Sequence, residues 1–220
     1  MKILIATGGS CTVTPAFRSA LMDWAPDRII AADSGLRHLY AMDMKPDLLL
    51  GDMDSIAPEI LERSRKDGLV PRVFPTHKDE TDTEIALSIA REIAGEDAVI
   101  RVIGAAGDRV DHTYANLHLM NRYYRQVEFW DGRARLWILH GPAVDTVEKP
   151  NWFSGKKTAY VSLLPFGTPV QSVTLTGFEY PLNRYNMDVN AVIGTSNQLT
   201  GTQGRISFEA GSLLCSIVEE

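Results

Sequence analysis

The sequence predicts an α/β fold. An N-terminal Rossmann-like domain has a mostly parallel sheet with helices on both faces, and a small C-terminal antiparallel β-sandwich follows it. Two observations predict this class. Over about the first 130 residues, short apolar runs alternate with amphipathic stretches, which is typical of a parallel sheet covered by helices. After residue 126, strand-like runs follow one another between Gly, Pro and Asn, without a convincing helix.

The N-terminal elements follow from the spacing of apolar residues along the chain. Apolar runs bounded by polar or turn residues predict strands at 3–6, 28–32, 48–50, 69–74 and 98–103. Amphipathic stretches between them predict helices at 15–24, 35–42, 58–66, 83–93 and 110–124. In the helix at 83–93, apolar residues recur with helical spacing, from Ile85 and Ala86 to Ile93, and form a stripe along one face.

The C-terminal elements are strands separated by turn residues. We predict them at 127–130, 135–139, 159–164, 173–175, 205–208 and 213–218. The boundary between the two domains falls within 130–152, where Gly141-Pro142 and Lys149-Pro150 are plausible breaks. We place it after residue 140, which gives domains of 1–140 and 141–220.

The composition is that of an ordinary globular protein. Of its 220 residues, 45% are hydrophobic and 23% are charged, with a net charge of −6. This acidic balance argues against a general nucleic-acid binder, which would carry a basic face. The two cysteines, Cys11 and Cys215, form no metal-binding spacing and fit a reducing compartment. The sequence shows neither a signal peptide nor a membrane span, so we expect a cytoplasmic protein without a membrane partner.

Polar loops follow each of the five predicted strands of the N-terminal domain. They contain GGS at 8–10, DSG at 33–35, GDMDS at 51–55, HKDETD at 77–82 and GAAGDRVDH at 104–112. Small residues such as Gly9 allow backbone amides to approach a ligand. Because ligands bind beyond the carboxyl ends of the strands in open α/β sheets, we expect these loops to converge on one binding edge.

Clustered carboxylates at such an edge need a cation, because like charges repel one another. Mg²⁺ prefers oxygen ligands and usually takes a few carboxylates together with waters and phosphate oxygens. In an extended segment, Asp52 and Asp54 point to the same side, which favours a metal site there. Asp82 opens a helix, while Lys78 and Arg109 supply positive charge for phosphates. The pattern therefore indicates a site for a magnesium–nucleotide complex.

Each of these features also has a purely structural interpretation. Asp33 could cap a turn or helix, Thr81 and Asp82 could be capping residues, and a single Asp-x-Asp pair is common by chance. The functional interpretation rests on their joint placement after successive strands, which chance explains poorly.

These four Asp-containing motifs, in this order and spacing and with Asn116 after them, resemble those of bacterial thiamine pyrophosphokinases. In the second half of the chain, GFEYPL at 177–182 and GTSN at 194–197 resemble the thiamine-side motifs of that family. The resemblance extends from Ile3 to about Val218, which is most of the chain.

The resemblance implies a domain at 1–140 that binds ATP and Mg²⁺ and a domain at 141–220 that binds thiamine and mediates dimerisation. It implies transfer of diphosphate from ATP to the hydroxyl of thiamine, giving thiamine diphosphate and AMP, in a homodimer with thiamine bound between subunits. The residues that match the Mg²⁺ ligands are Asp52, Asp54 and Asp82. Those that match the nucleotide and diphosphate contacts are Asp33, Lys78, Thr81, Arg109, Asp111 and Asn116. Those that match the thiamine pocket are Tyr180, Ser196 and Asn197.

Three of these residues are the expected catalytic groups. Arg109, with Lys78, would stabilise negative charge developing toward AMP. Asp82 or Asp111 would take the hydroxyl proton, and the sequence leaves that choice open. His112 lies one turn before Asn116 on the predicted helix, so it shares that face and is expected near the nucleotide.

Two other functions are compatible with the motifs. One is an aspartyl-nucleophile phosphatase using Asp52, although the motif follows the third strand and Ile56 stands where Thr is usual. The other is a non-catalytic module that senses a nucleotide or thiamine. The chain departs from the pattern of the family at Ser34 and Asp108, where glycine is frequent, and at Tyr180, where some relatives carry Trp.

Overall fold

The chain forms two compact units, Met1–Gly132 and Arg133–Glu220. The computed structural model describes residues 1–75, 79–107, 109–155 and 157–220. The division comes ahead of the boundary predicted after residue 140. The reason is that the strand Ala134–His140 pairs in antiparallel fashion with the last strand of the second unit.

The first unit alternates strands and helices. Its strands are β1 (Lys2–Ala6), β2 (Arg28–Ala32), β3 (Leu48–Gly51), β4 (Arg72–Val73), β5 (Val99–Ile103) and β6 (Val127–Asp131). Its helices are α1 (Pro15–Trp24), α2 (Leu36–Ala41), α3 (Pro58–Lys66), α4 (Asp82–Ala94) and α5 (Val110–Arg122), with a 3₁₀ turn at Asp33–Gly35. The described part of the chain contains no helix long and apolar enough to cross a membrane.

These six strands pair in parallel in the order β4-β3-β2-β1-β5-β6. The chain moves outward from β1 through β2 and β3 to β4, and then returns to pair β5 with the other side of β1. Because parallel crossovers are right-handed, this reversal places α1, α2 and α3 on one face and α4 and α5 on the other. The sheet therefore has a switch point between β1 and β5, where open α/β sheets bind ligands.

Burial and capping explain why these residues form these elements. Ile3, Leu4 and Ile5 of β1 are completely buried, as expected for a central strand covered on both faces. Thr14 is the N-cap of helix α1, and its hydroxyl accepts a hydrogen bond from Phe17 N at 3.1 Å. Pro15 occupies the first helical position. Helix α4 contacts β1, β2 and β3, and Ala86, Ile89 and Ala90 of its predicted stripe are buried, whereas Ile93 at the end of the stripe is exposed.

The second unit contains antiparallel strands. They are β7 (Ala134–His140), β8 (Ala143–Glu148), β9 (Ala159–Pro165), β10 (Val170–Thr176), β11 (Leu182–Met187), β12 (Gln203–Phe208) and β13 (Ser212–Glu219). Strand β13 pairs with both β7 and β9, whereas β10 and β12 form the centre of a second sheet ordered β11-β10-β12-β8. The buried residues of the second unit alternate along its strands and include Val161, Val173 and Ile206.

The predicted fold class is confirmed, with three local differences. The strand expected at 69–74 is reduced to Arg72–Val73 at the edge of the sheet, and both of its residues are exposed. Strands β8 and β11 were not predicted, because β8 alternates weakly and β11 is exposed at four consecutive positions. The apolar pattern that predicts strands is therefore missing from both segments.

Candidate active site

Two loops at the switch point form a rigid backbone wall. Thr7 N donates to Ile103 O at 2.9 Å, Gly9 N donates to Gly104 O at 2.8 Å, and Ser10 N donates to Ala106 O at 2.7 Å. A side chain at Gly9 would place its Cβ 2.4 Å from Gly104 O and from Ala106 O, so only glycine permits this approach. The Gly9 amide, expected to face a ligand, thus bonds to the neighbouring loop.

Three carboxylates come together beyond the ends of β2 and β3 and at the start of α4. One carboxylate oxygen from each of Asp33, Asp52 and Asp82 lies within 4.8 Å of the other two. Asp33 adopts a left-handed backbone with φ of 49°, and the chain at Gly51, with φ of 134°, packs directly against it. A Cβ at position 51 would lie 3.0 Å from the Asp33 Cβ, so this glycine lets the two strand ends approach.

Asp33 shows the electrostatic cost of this cluster. Burial raises the pKa of its carboxyl, and the negative charges of Asp82, Asp52 and Asp54 raise it further. The Ser55 hydroxyl donates to Asp33 Oδ2, whereas Asp33 Oδ1 is buried and has no hydrogen-bond partner in the described part of the chain. A buried carboxylate oxygen without a partner, next to two further carboxylates, fits a hard divalent cation.

Asp54 lies beside this cluster rather than within it. Its side chain is exposed, its amide donates to Asp52 Oδ1 at 3.3 Å, and hydrogen bonding to Asp52 raises the pKa of its carboxyl. The extended Asp-x-Asp geometry assumed from the sequence is wrong, because Met53 has φ of 67° and turns the chain. The three clustered carboxylates therefore include Asp33, which was expected to contact the nucleotide.

The start of α4 positions Asp82. Thr81 is the N-cap residue, and its hydroxyl accepts from Glu84 N at 3.2 Å. Asp82 occupies the first turn, where the helix dipole favours a negative charge. Lys78, predicted to contact phosphate, lies outside the described residues.

Arg109 and Asp111 form a two-pronged ion pair at the start of α5. Arg109 Nε donates to Asp111 Oδ1 at 3.0 Å, and its Nη2 donates to Asp111 Oδ2 at 2.7 Å. These hydrogen bonds hold the pKa of Asp111 far below its usual range and raise that of Arg109. Both side chains are exposed, so the pair orients the guanidinium but adds little stability.

Asn116 supports the loop after β5. Its side chain is 6% exposed, and Nδ2 donates to Ala105 O at 2.7 Å. One turn earlier, the Thr113 hydroxyl accepts from Gly107 N at 3.1 Å. Side chains of helix α5 thus hold the 104–107 loop through hydrogen bonds, while His112 of the same helix is exposed.

A cavity of about 360 Å³ lies at this edge of the sheet. The predicted site residues that line it are Gly9, Asp33, Thr81, Asp82, Arg109, His112 and Asn116. Asp111 does not line the cavity but is paired with Arg109, which does.

Two neighbouring residues of this site were not identified from the sequence. Arg37 Nη2 donates to Gly8 O at 2.7 Å and to Gly9 O at 2.8 Å, and Arg37 lines the cavity. His38 is 7% exposed and lies 2.7 Å from Gly9 O through its Nε2, which must carry the proton because a carbonyl only accepts. Burial lowers the pKa of His38. Their position two and three residues after Gly35 was the available signal.

In the second unit, Asn197 fixes the backbone at Tyr180. Asn197 Oδ1 accepts from Tyr180 N at 3.0 Å, and its Nδ2 donates to Tyr180 O at 2.8 Å. Asn197 is 5% exposed, whereas Tyr180 is 62% exposed. Ser196 is exposed with φ of 58°, and its amide donates to Ser162 Oγ at 3.1 Å. The exposed face in this region therefore belongs to Tyr180 and Ser196.

Comparison with known proteins identifies both halves of the chain. Residues 20–130 match the family model described as "Thiamin pyrophosphokinase, catalytic domain", and residues 148–213 match "Thiamin pyrophosphokinase, vitamin B1 binding domain". The chain belongs to the thiamin pyrophosphokinase family.

Individual members of the thiamin pyrophosphokinase family are similar over most of their length. The thiamine pyrophosphokinase of Bacillus subtilis (strain 168) is 29% identical over 188 residues, covering 84% of each chain. A crystal structure of the Bacillus subtilis enzyme has a TM-score of 0.83 at 27% identity and covers 99% of both chains. That of the Geobacillus thermodenitrificans protein has a TM-score of 0.81 at 30% identity and covers 100% of this chain and 98% of its own.

The departures from the thiamin pyrophosphokinase pattern have different structural settings. Ser34 is buried beside Gly8, where a Cβ at position 8 would lie 2.5 Å from the Ser34 hydroxyl oxygen. A side chain at position 8 would therefore require the Ser34 hydroxyl to turn away. Tyr180 presents an exposed ring, and Asp108 lies outside the described residues.

Proposed function

We propose that this protein transfers the diphosphate group of ATP to the hydroxyl of thiamine, giving thiamine diphosphate and AMP. The observation that carries the proposal is the cluster of Asp33, Asp52 and Asp82 beside a cavity at the switch point of the sheet. In a chain of this family, such a cluster has the oxygen ligands needed to bind a metal–nucleotide complex. Family membership favours this transferase over the aspartyl-nucleophile phosphatase.

Asp33, Asp52 and Asp82 are the residues that would hold Mg²⁺, with Asp54 adjacent to Asp52. The unpartnered Asp33 Oδ1 and the raised pKa of that carboxyl support this set, because a cation would relieve both costs. When bound, Mg²⁺ supplies positive charge that neutralises phosphate oxygens.

The loops around the cavity would hold the nucleotide. Glycines at 8, 9, 104 and 107 line the cavity without side chains, and Thr81 and His112 add polar side chains to the wall. The amides of Gly9 and Gly107 are already hydrogen-bonded within the protein. Asn116 would act indirectly, since its side chain amide is bonded to Ala105 O. Lys78 remains a predicted phosphate contact.

The proposed reaction is a direct transfer. The thiamine hydroxyl oxygen bonds to the β-phosphorus of ATP, the bond from that phosphorus to the oxygen bridging to the α-phosphorus breaks, and AMP leaves with that oxygen. Arg109, oriented by Asp111, would stabilise the negative charge on the departing AMP.

The hydroxyl proton needs an acceptor, and we propose Asp82. Asp111 is a poor base, because both of its oxygens accept hydrogen bonds from Arg109 and its pKa is strongly lowered. Asp82 lines the cavity and belongs to the carboxylate cluster. One of its two oxygens would hold Mg²⁺, and the other would take the proton.

The second unit would provide the thiamine side of the reaction in a homodimer. Tyr180 has an exposed aromatic ring that can stack on a pyrimidine. Ser196, which directly precedes Asn197, is also exposed. We propose that Tyr180 and Ser196 contact thiamine and that Asn197 positions Tyr180. Sedimentation at twice the mass of the chain tests the dimer.

The test is separation of the products after incubating the protein with ATP, Mg²⁺ and thiamine. AMP and thiamine diphosphate should form together and disappear with EDTA. Asp52→Asn should lower turnover at least about 100-fold, because even outer-shell partners of metal ligands are worth 10- to 100-fold. Asp23→Asn, at an exposed position on α1, is the matched control and should behave like the wild type.

Other product patterns would contradict the proposal. ADP with thiamine monophosphate would mean attack at the γ-phosphorus. Saturable binding of ATP and thiamine without any product would identify a sensing module, and a covalent phosphate trapped on Asp52 would identify a phosphatase.

A further inference from the structure

Arg37 places an arginine side chain in the wall of the cavity without a carboxylate partner. It follows the 3₁₀ turn at Asp33–Gly35 and lines the cavity together with Gly8 and Gly9. Its Nη2 donates to the carbonyls of these two glycines. Within the described residues, no carboxylate oxygen lies within 4 Å of its guanidinium.

The other arginine among the described cavity-lining residues differs in this respect. Arg109 donates from Nε and Nη2 to Asp111, whose negative charge compensates the positive charge of Arg109. In the part of the chain that the structure describes, Arg37 hydrogen-bonds to neutral carbonyl oxygens and forms no ion pair with a carboxylate. Asp33 and Asp82 also line the cavity, and their carboxylates repel a polyphosphate. Binding of a polyphosphate there therefore needs a positive charge from another part of the wall.

The contacts of Arg37 also preorganise it. A guanidinium has five N–H donors, and the two carbonyl contacts involve Nη2 alone, which leaves those of Nε and Nη1. His38 Nε2 donates to the same Gly9 oxygen at 2.7 Å, so the carbonyls of this loop are held against α2. These contacts restrain the planar guanidinium before any ligand binds, which lowers the entropy cost of a two-pronged phosphate contact.

We propose that Arg37 binds the phosphate oxygens of the nucleotide, as a substrate-contacting residue additional to those predicted from the sequence. This inference rests on the proposed function, because it takes the cavity to be the nucleotide site. Arg37 binds phosphate and at the same time keeps the Gly8 and Gly9 carbonyl oxygens away from it.

The test measures binding by calorimetry, without thiamine, of two probes: the Mg²⁺ complex of α,β-methylene ATP, which cannot be cleaved at the transferred bond, and adenosine, which has no phosphate. Arg37→Ala should weaken binding of the ATP analogue by about 10- to 100-fold, the loss expected for charge-assisted hydrogen bonds. Binding of adenosine should stay within about twofold, because its phosphate-free contacts do not involve a charge.

Two further variants keep the test decisive. Arg37→Gln retains an N–H donor for the glycine carbonyls and removes the charge, so it should show the same loss if the alanine variant fails to fold. Arg18→Ala is the matched control, because Arg18 also donates to a main-chain carbonyl, Met42 O at 2.6 Å, but does not line the cavity. It should bind both probes like the wild type.

Two results would overturn the inference. Wild-type affinity of Arg37→Gln for the ATP analogue would show that no phosphate contact exists. An equal loss of affinity for the analogue and for adenosine would show that Arg37 only holds the loop. The product assay tests the proposed function separately from these two binding results. A wild-type protein that binds the analogue but forms no thiamine diphosphate would refute the transferase. The binding data for the Arg37 variants would still show that Arg37 binds phosphate.

Discussion

Replacing Asn197 with alanine separates a positioning role from direct contact with thiamine. The side chain makes three hydrogen bonds: its Oδ1 accepts from Tyr180 N at 3.0 Å and from Gln198 N at 2.9 Å, and its Nδ2 donates to Tyr180 O at 2.8 Å. At a net value of about 1 kcal/mol for each bond, the variant should lose about 3 kcal/mol of unfolding free energy. For a chain of this size, that loss lowers the Tm by roughly 6–12 °C.

The assay combines urea unfolding with steady-state kinetics. Asn197→Ala should raise the KM for thiamine by no more than Tyr180→Ala does, because it acts by releasing Tyr180. In the double variant the two effects should not add, since both disturb the same contact. Asn190→Ala, at an exposed site on the same unit, is the control and should change stability by less than about 0.5 kcal/mol.

One outcome would refute this reasoning. If Asn197→Ala unfolds at the wild-type urea concentration and still raises the KM for thiamine, the amide contacts the substrate directly. Additive effects with Tyr180→Ala would lead to the same conclusion.

Three further perturbations follow from the first unit. The pKa of Asp33 is raised, so its contribution to stability is present at low pH and is lost as pH rises through that pKa. Asp33→Asn should therefore raise the Tm of the metal-free protein at neutral pH while lowering turnover, and an unchanged Tm would contradict the unfavourable burial and charge repulsion of this carboxylate. The pKa of His38 is lowered, so its contribution is complete above its ordinary value near 6.5 and declines as pH falls below it. Unfolding free energies measured between pH 5 and 8 should show this decline, and His38→Gln should abolish it. Gly35→Ala would place a Cβ 2.1 Å from Ala6 O and should cost about 3 kcal/mol, whereas Gly201→Ala, with open space around it, should be nearly neutral in urea unfolding.

Local sequence patterns were sufficient for the parallel half of the fold. The strands around Ile3–Ile5 and Leu49–Leu50 are continuous apolar runs, and such runs arise wherever a strand is buried on both faces. The polar loops after them could then be assigned to one edge of the sheet, because parallel strands end on the same side. Strand β11 escaped prediction, since an exposed strand carries no apolar alternation.

The membership of the carboxylate cluster depended on backbone conformation. Asp33 and Asp54 look equivalent as sequence, each an aspartate in a loop after a strand. A left-handed φ at Asp33 and the close approach of Gly51 bring the first carboxylate toward Asp52 and Asp82, whereas the turn at Met53 leaves the second exposed. Such conformations depend on which backbone segments meet, so residue type alone does not predict them.

Residue chemistry and the parallel arrangement of the strands were thus predictable from the sequence itself: which strands are buried, which loops carry carboxylates, and that those loops share an edge. Only the tertiary structure decided which polar side chains are already engaged in hydrogen bonds or ion pairs within the protein. Arg109 is paired with Asp111, and the amides of Asn116 and Asn197 bond to backbone, while among the described residues Arg37 bonds to carbonyl oxygens and to no carboxylate. Apart from the local Arg109–Asp111 pair, these hydrogen bonds join residues 11 to 29 positions apart in sequence at separations near 3 Å, and only the folded backbone brings such groups within that distance.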